Sequence, residues 1–522
     1  MLSGAAGAQN LQDAFDFTYH DYYGTARSIA MGNAMTAIGG DLGSVTMNPA
    51  GSAVSKFSQF TITPNISIGG TNSTFYIVAG SQANSENATS RTRFTLPNIG
   101  FTGYFDTGSS WGVKGWSLGM IINQTHNQLD EVYVRGANAE TSLAGSFAAV
   151  TENNGATTSV LSGDDAYYGS AGWNDILGYQ SGMTSTYDGS NNKFLGVTEK
   201  KFDDGQVRIC GPLDQSYGRT THGSSNDMLF NFGMNINDKV YLGANFGITM
   251  NHLRNTIYID EYAQNPSDFT INYDNGGTTC FDNLRYRYKY SQSASGVFLK
   301  LGAIVTPVKG LRFGAAIQTP TSLYIKERWR SYAETNFTDS YYNSWAETPQ
   351  GEFTYRLRSP FRANVGVAYN AGGVVMLSAD YEICDYKSMR FNDEDGNHLS
   401  YFDGVNRDIK DYARAQHQAR FGVEVKPVPM FALRAGYTFQ NAPEKVMENY
   451  NYVNVKNPKQ TFSAGCGFSS DGSFYTDFAV RYMDLGKKYY PMYNDYIDDT
   501  PSPEILAKGF RLDLTWTIGF RF

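Results

Sequence analysis

The sequence predicts an all-β fold, a 14-stranded antiparallel transmembrane β-barrel with an N-terminal plug, or hatch, inside the lumen. Three observations carry this expectation. In residues 509–522, Phe510, Leu512, Leu514, Trp516, Ile518, Phe520 and Phe522 alternate with Arg511, Asp513, Thr515, Thr517, Gly519 and Arg521. Side chains alternate faces along a strand, so one face of this terminal segment is apolar and the other polar. A strand between lipid and a watery lumen needs that pattern, and the pattern recurs along the chain. The connections also alternate, short turn then long polar loop, as in barrels with short periplasmic turns and long outer loops.

Taken in order, the chain opens with Ala6-Gly7-Ala8, which fits the small-residue end of a secretory signal peptide. Residues 1–8 are therefore expected to be the remnant of one. Residues 9–54 are rich in glycine and other small residues, which suits a compact plug whose backbone approaches a wall closely. The barrel is expected over 55–522. Its first three strands, near 57–68, 94–105 and 111–122, alternate least regularly. An insert at 126–226 interrupts the pattern; its Ala- and Leu-rich stretch 140–152 reads as a short helix. Alternation then becomes clean. Met228, Phe230, Phe232, Met234 and Ile236 share one face, and Asn237-Asp238 turns the chain toward Val240, Leu242, Ala244, Phe246, Ile248 and Met250. Equivalent pairs follow to the C-terminus, joined by short turns at 307–310, 370–373, 426–429 and 469–472. With the N-terminus on the periplasmic side, every short turn falls inside and every long loop outside. A β-sandwich has no reason to sort its connections so.

Composition narrows the function classes. Aromatics make up 15% of the 522 residues, glycine numbers 54, and no apolar run approaches the length of a membrane helix. The net charge is −8 and no basic stripe appears, so nucleic acid is not an expected partner. The six histidines form no metal or protease motif, and 393–397 lacks EF-hand spacing, so no enzyme, metal or other cofactor is expected. Cys210, Cys280, Cys384 and Cys466 are widely spaced; Cys210 and Cys280 both fall in outer loops, and their pairing stays open.

The polar faces of the strands carry charge. Arg362, Asp380, Glu382, Arg420, Arg434 and Arg481 are the candidate lumen network, with Arg312, Glu424, Asp477, Arg511 and Asp513 on the same inner faces. Enclosed charges must pair or stay wet. Two readings remain: an ionic network holding the plug to the wall, or one or two arginines that receive a carboxylate head group. The outer loops are aromatic, with Tyr332, Phe337, Tyr341, Tyr342 and Trp345 in one and Tyr489, Tyr490, Met492, Tyr493 and Tyr496 in another. They suit either a capture site or an interfacial girdle.

The N-terminal segment contains Gly24-Thr25-Ala26-Arg27-Ser28, Gly32-Asn33-Ala34, Gly39-Gly40-Asp41 and Asn48-Pro49-Ala50, in that order. Together these resemble the hatch of the FadL/TodX family of outer-membrane transporters for long-chain fatty acids and other hydrophobic compounds. The terminal Phe522 is similar to the C-terminal signal of Gram-negative barrels. The likeness implies a bacterial outer-membrane location and contact with membrane lipid and lipopolysaccharide. It further implies passive transport of hydrophobic small molecules, long-chain fatty acids foremost, by loop capture, hatch movement and lateral exit; a monomer is favoured, with the oligomeric state left open. Asn48, Pro49 and Ala50 are the hatch motif. Pro64 and Pro97 remove ladder donors in the first two strands, and Gly100 and Gly103 follow. These four mark the candidate lateral opening, against the plainer reading of a bulge that shapes the wall. The alternative function is a non-transporting barrel that acts as a docking or secretion-system partner.

Overall fold

The fold was analysed in a computed structural model, which describes residues 11–77, 84–163, 171–272, 276–448, 451–453, 458–470, 473–498 and 500–522. The proposed signal remnant at 1–8 lies outside the described residues. Fourteen antiparallel strands form the wall. They are β1 Gln59–Tyr76, β2 Ser85–Asp106, β3 Val113–Asn138, β4 Leu213–Ile236, β5 Val240–Ala263, β6 Thr278–Val308 and β7, in two pieces, Leu311–Gln318 and Ser322–Phe337. Then come β8, also in two pieces, Gly351–Arg358 and Arg362–Ala371, β9 Val375–Asp385, β10 Ala415–Val428, β11 Phe431–Gln440, β12 Lys459–Ser469, β13 Phe474–Pro491 and β14 Glu504–Arg521. β14 pairs back onto β1, with Ile62 opposite Ile518 and Ile66 opposite Leu514, so the sheet closes on itself. Pro320 and Pro360 interrupt β7 and β8 at neighbouring positions, because neither can donate to a ladder; Ser359 N donates to Thr321 O (2.8 Å) across the break.

The connections sort as the alternation requires. The links at 107–112, 237–239, 309–310, 372–374, 429–430 and 470–473 lie at one end, with both barrel termini; every long connection lies at the other. The outward face is apolar: Leu299 is 54% exposed, Trp516 42% and Phe520 47%. Between the outward residues of β14, Asp513, Thr515 and Thr517 are buried in the lumen. Trp516 stacks on Phe478 of β13 (5.5 Å) on the outer wall rather than in a dry core. Closed strands with a lipid-facing belt are the only β-architecture that spans a bilayer, and this one is of the bacterial outer-membrane type.

Sequence reading misplaces the insert. β3 continues to Asn138 and β4 begins at Leu213, so residues 126–138 and 213–226 are strand, and the outer connection is 139–212. Above the bilayer both faces of a strand meet water or protein, and the apolar contrast that betrays a strand disappears. The helix expected at 140–152 is Leu143–Asn153, N-capped by Ser142, whose Oγ accepts from Gly145 N. All four cysteines are free, so Cys210 and Cys280 do not pair.

The orientation of Leu299 and Lys300 gives a direct check. Leu299→Arg puts a charge on the lipid-facing belt and is expected to cost about 2–4 kcal/mol if it sits near the midplane. Equilibrium unfolding in lipid vesicles measures this, and a neutral result would contradict the assigned face.

Candidate functional site

Residues 11–55 run inside the cylinder. Nearly all of 21–53 are buried, with Tyr22, Met31, Met35, Ile38 and Met47 in one apolar cluster. Backbone polar groups of the segment are met by wall side chains. Asn251 Nδ2 donates to Phe17 O (3.0 Å), Asn245 Nδ2 to Val45 O (2.9 Å), Lys300 Nζ to Thr46 O (2.7 Å) and Thr438 Oγ1 to Gly32 O (2.8 Å). Small residues are needed because strand and hatch backbones almost touch. A Cβ on Gly302 would overlap the Asn48 side chain, and one on Gly243 would overlap Pro49 and Ala50.

Asn48, Pro49 and Ala50 form a turn pinned from two sides. Asn48 Oδ1 accepts from Ala50 N (3.1 Å), while its Nδ2 donates to Thr36 O (2.8 Å) and to Ala303 O of β6 (3.0 Å). Pro49 starts the 3-10 helix Pro49–Val54, where no N–H is required, and its carbonyl accepts from Asn231 Nδ2 of β4 (3.0 Å).

The structure places all six candidate charges on the inner face and divides them into three groups, each ending on the hatch. Glu382 accepts from Arg362 (3.0 Å), from Arg420 and from the Tyr22 hydroxyl (3.0 Å); Arg362 also donates to Thr18 O. Asp380 lies beside this group and accepts from Thr36 N (2.8 Å). In the second group, Arg434 bridges Glu424 (2.6 Å) and Asp477 (2.6 Å), and Arg27 of the hatch forks onto Glu424 at 2.9 and 3.1 Å. In the third, Arg481 forks onto Asp513 at 3.0 and 2.7 Å, donates to Tyr22 O (3.0 Å) and lies 4.0 Å over the Tyr23 ring. Enclosed ion pairs of this kind fix geometry more than they add stability.

Sequence reasoning missed a fourth group. Asp21 of the hatch meets His126 Nδ1 (2.7 Å), Lys459 and Arg511 (3.9 Å). Asp21 lies outside any strand, so no periodicity marks it, and His126 falls within what reads as loop.

The group sits where the wall changes character. The β2–β3 ladder runs from Asp106 opposite Gly115 up to Asn98 opposite Asn123, and stops. Beyond that point β2 stays with β1 up to Ser85, and β3 stays with β4. Pro64 and Pro97 lie at the break. The β1–β2 register shifts between Thr63 and Asn65, and Thr63 and Pro64 drop out of the β1–β14 ladder. Gly100 and Gly103 lie below the break, in regular ladder opposite Ile121 and Leu118. Above it, side chains replace backbone bonds. Arg93 reaches Asn127 Oδ1 (3.1 Å) and Gly223 O (2.6 Å), Asn87 Nδ2 donates to Tyr133 O (3.1 Å), and Thr89 and Ser85 donate to the carbonyls of Glu131 and Arg135. β3 bulges at Gln124–His126, and the hatch fills the freed carbonyls: Asp21 N donates to Thr125 O (2.7 Å) and Tyr23 N to Gln124 O (3.0 Å). The hatch is thus bonded to the β3 edge of the seam.

The outer mouth is capped. Leu143, Phe147, Leu177 and Met183 of the insert pack into an apolar cluster with Phe75, Val134, Tyr286, Phe337, Met492 and Tyr493. The aromatic loops divide accordingly: Phe337, Met492 and Tyr493 are buried in the cap, whereas Tyr341 and Trp345 are exposed. Beneath the cap, Glu261 Oε1 accepts from Leu143 N (2.7 Å) and Gln215 Nε2 (2.7 Å), while Oε2 is buried without a partner. Burial lifts this carboxyl to about 7.

No family model and no curated protein sequence matches the chain. Solved structures do resemble it. A Pseudomonas aeruginosa FadL homologue superposes with a TM-score of 0.51 at 11% identity, covering 96% of this chain and 99% of that one. The P. putida toluene transporter TodX gives 0.51 at 12% identity, covering 97% and 99%. At that identity the likeness establishes a shared fold.

Two outcomes follow. Glu382→Gln removes the anion between Arg362 and Arg420, and breaking a buried pair of this kind is expected to cost about 3–5 kcal/mol. Denaturant unfolding reads the loss, and limited proteolysis of 11–55 shows that the hatch loosens first. The second outcome concerns the cap. A carboxyl whose folded pKa is raised binds its proton more tightly in the folded state, so its destabilising effect begins above the unfolded carboxylate pKa, near 4.3, and is complete once pH passes about 7. Protection of the 139–212 amides, corrected for base-catalysed intrinsic exchange, is therefore expected to fall between about pH 5.5 and 8, and Glu261→Gln to flatten that fall. An unchanged profile in the variant would exclude Glu261 as the source.

Proposed function

We propose that this barrel carries hydrophobic small molecules passively across the outer membrane and releases them sideways between β2 and β3. One observation carries the reading: the β2–β3 ladder stops at Asn98 opposite Asn123 while both strands continue, and the hatch is bonded to β3 beside that seam. A plugged lumen argues against a general aqueous pore. A side exit suits a ligand whose transfer from water to lipid is itself favourable. The shared fold with a toluene transporter and a FadL homologue supports the same class of cargo.

In this reading a ligand enters between the insert cap and the aromatic outer loops. The hatch then yields at Asp21–Tyr23, and β3 parts from the side chains of β2. Long-chain fatty acids are the proposed cargo; an arginine freed from its carboxylate as the hatch shifts would meet the head group. No cofactor or catalytic step enters, and a monomer suffices because the lumen, hatch and seam belong to one chain.

Radiolabelled oleate and toluene uptake by cells with and without the protein tests cargo. Route is tested by joining cysteines at 93 and 127 with a bifunctional thiol reagent, after replacing the four native cysteines by serine. Cross-linking is expected to cut uptake at least tenfold. Undiminished uptake in the cross-linked protein would remove the lateral route. No uptake of either compound would favour the docking role.

A further inference from the structure

The outer wall holds a second, unrelated feature. Above the lipid belt, the extracellular portions of β5 to β8 present cations on the outward face. On β6, Arg287 and Lys289 share that face with Val297, Leu299 and Leu301 lower down. On β7, Lys326, Arg328 and Arg330 follow outward Tyr324; on β8, Arg356 and Arg358 stand above exposed Phe361. The chain as a whole carries −8, so this concentration does not reflect average composition.

Register makes the arrangement unfavourable for the protein alone. Lys289 lies directly opposite Arg330, and Arg358 directly opposite Arg390 of the short strand Arg390–Asn392. Like charges facing each other across a ladder weaken it. Some of the band is neutralised internally: Lys326 and Arg328 share Glu352, and Arg330 reaches Glu347 at 3.5 Å. Arg254, Lys289, Arg358 and Arg390 have no acidic partner within 4 Å among the described residues. Exposed opposed guanidiniums next to a lipid belt call for an external anion at head-group level. Arginine forks match phosphate oxygens, and Tyr324, with Arg356 5.5 Å from its ring, suits the interface between apolar and polar layers.

We propose that this band binds the phosphates of the outer-leaflet glycolipid, lipopolysaccharide, with Arg358 and Arg390 gripping one phosphate between them. The site rests on the orientation of the barrel in the outer membrane and is independent of what the lumen carries. It uses no residue of the hatch or the seam.

The test uses full-length protein, purified in detergent and stripped of lipid, with bisphosphorylated lipid A as probe. Native mass spectrometry compares that probe with the dephosphorylated lipid, for the wild type and for Arg358→Gln combined with Arg390→Gln. The expected result is at least tenfold weaker retention on removing either the phosphates or the two arginines. Equal retention in either comparison overturns the site. Full competition by inorganic phosphate at the same phosphate concentration would also overturn it, because the site would then serve a soluble anion. Thermal unfolding gives a second reading. Without lipid, the double variant is expected to unfold no lower than the wild type, since an opposed charge pair has gone; lipid A should then raise only the wild type. A variant that is less stable without lipid would show the two arginines to be structural, against the proposal.

Discussion

A wall whose inner face bears enclosed guanidinium and carboxylate groups has to satisfy them, and here the hatch supplies much of what they need. Arg362 donates to Thr18 O, Arg481 to Tyr22 O, Asp380 accepts from Thr36 N, and Glu424 is shared between Arg434 of the wall and Arg27 of the hatch. Removing the hatch would strand these groups, and an unpartnered buried charge costs several times what its pair contributes. The requirement runs both ways. The hatch is held in two ways: Phe15, Phe17, Met31, Met35 and Ile38 are buried in apolar clusters that include wall residues, and directed bonds from polar side chains of the wall meet its backbone.

The seam follows from the same economy of bonds. A backbone amide or carbonyl shut off from water, whether by lipid or by protein, needs a partner. Where the β2–β3 ladder stops at Asn98, the orphaned carbonyls of β3 are taken up by hydroxyl and amide side chains of β2 on one stretch and by hatch amides at the bulge. Side-chain bonds rotate away more easily than a ladder unzips. Asp21–Tyr23 share bonds with Gln124 and Thr125 beside that gap, so in the proposed route a shift of these residues would disturb the β3 side of the seam.

Much of this was legible in the sequence, and the boundary of legibility is physical. From β5 onward the lipid belt imposes strict two-residue alternation, and Leu299, Trp516 and Phe520 disclose their face at sight. The same alternation assigns Arg362, Asp380, Glu382, Arg420, Arg434 and Arg481 to the lumen. It says nothing of their partners, since hatch carbonyls carry no sequence signal. Above the bilayer the code fails. Ser85, Asn87 and Thr89 alternate with Glu86, Ala88 and Ser90 without apolar contrast, so the upper parts of β2, β3 and β4 read as loop. Pro64 and Pro97 are visible in sequence as missing donors and lie where the β2–β3 ladder stops; Gly100 and Gly103, marked with them, lie below it in regular ladder, because a wall glycine serves close packing as readily as a break.

The claim that the hatch clamps the seam is tested most directly by amide hydrogen exchange of Asp21–Tyr23 in lipid vesicles, with and without saturating oleate. The account predicts that ligand speeds exchange of Asp21, Tyr22 and Tyr23, whose amides bond β3, while the β1–β2 ladder at Ile66 and Ile68 stays protected. Unchanged protection of those hatch amides with the ligand bound would contradict it.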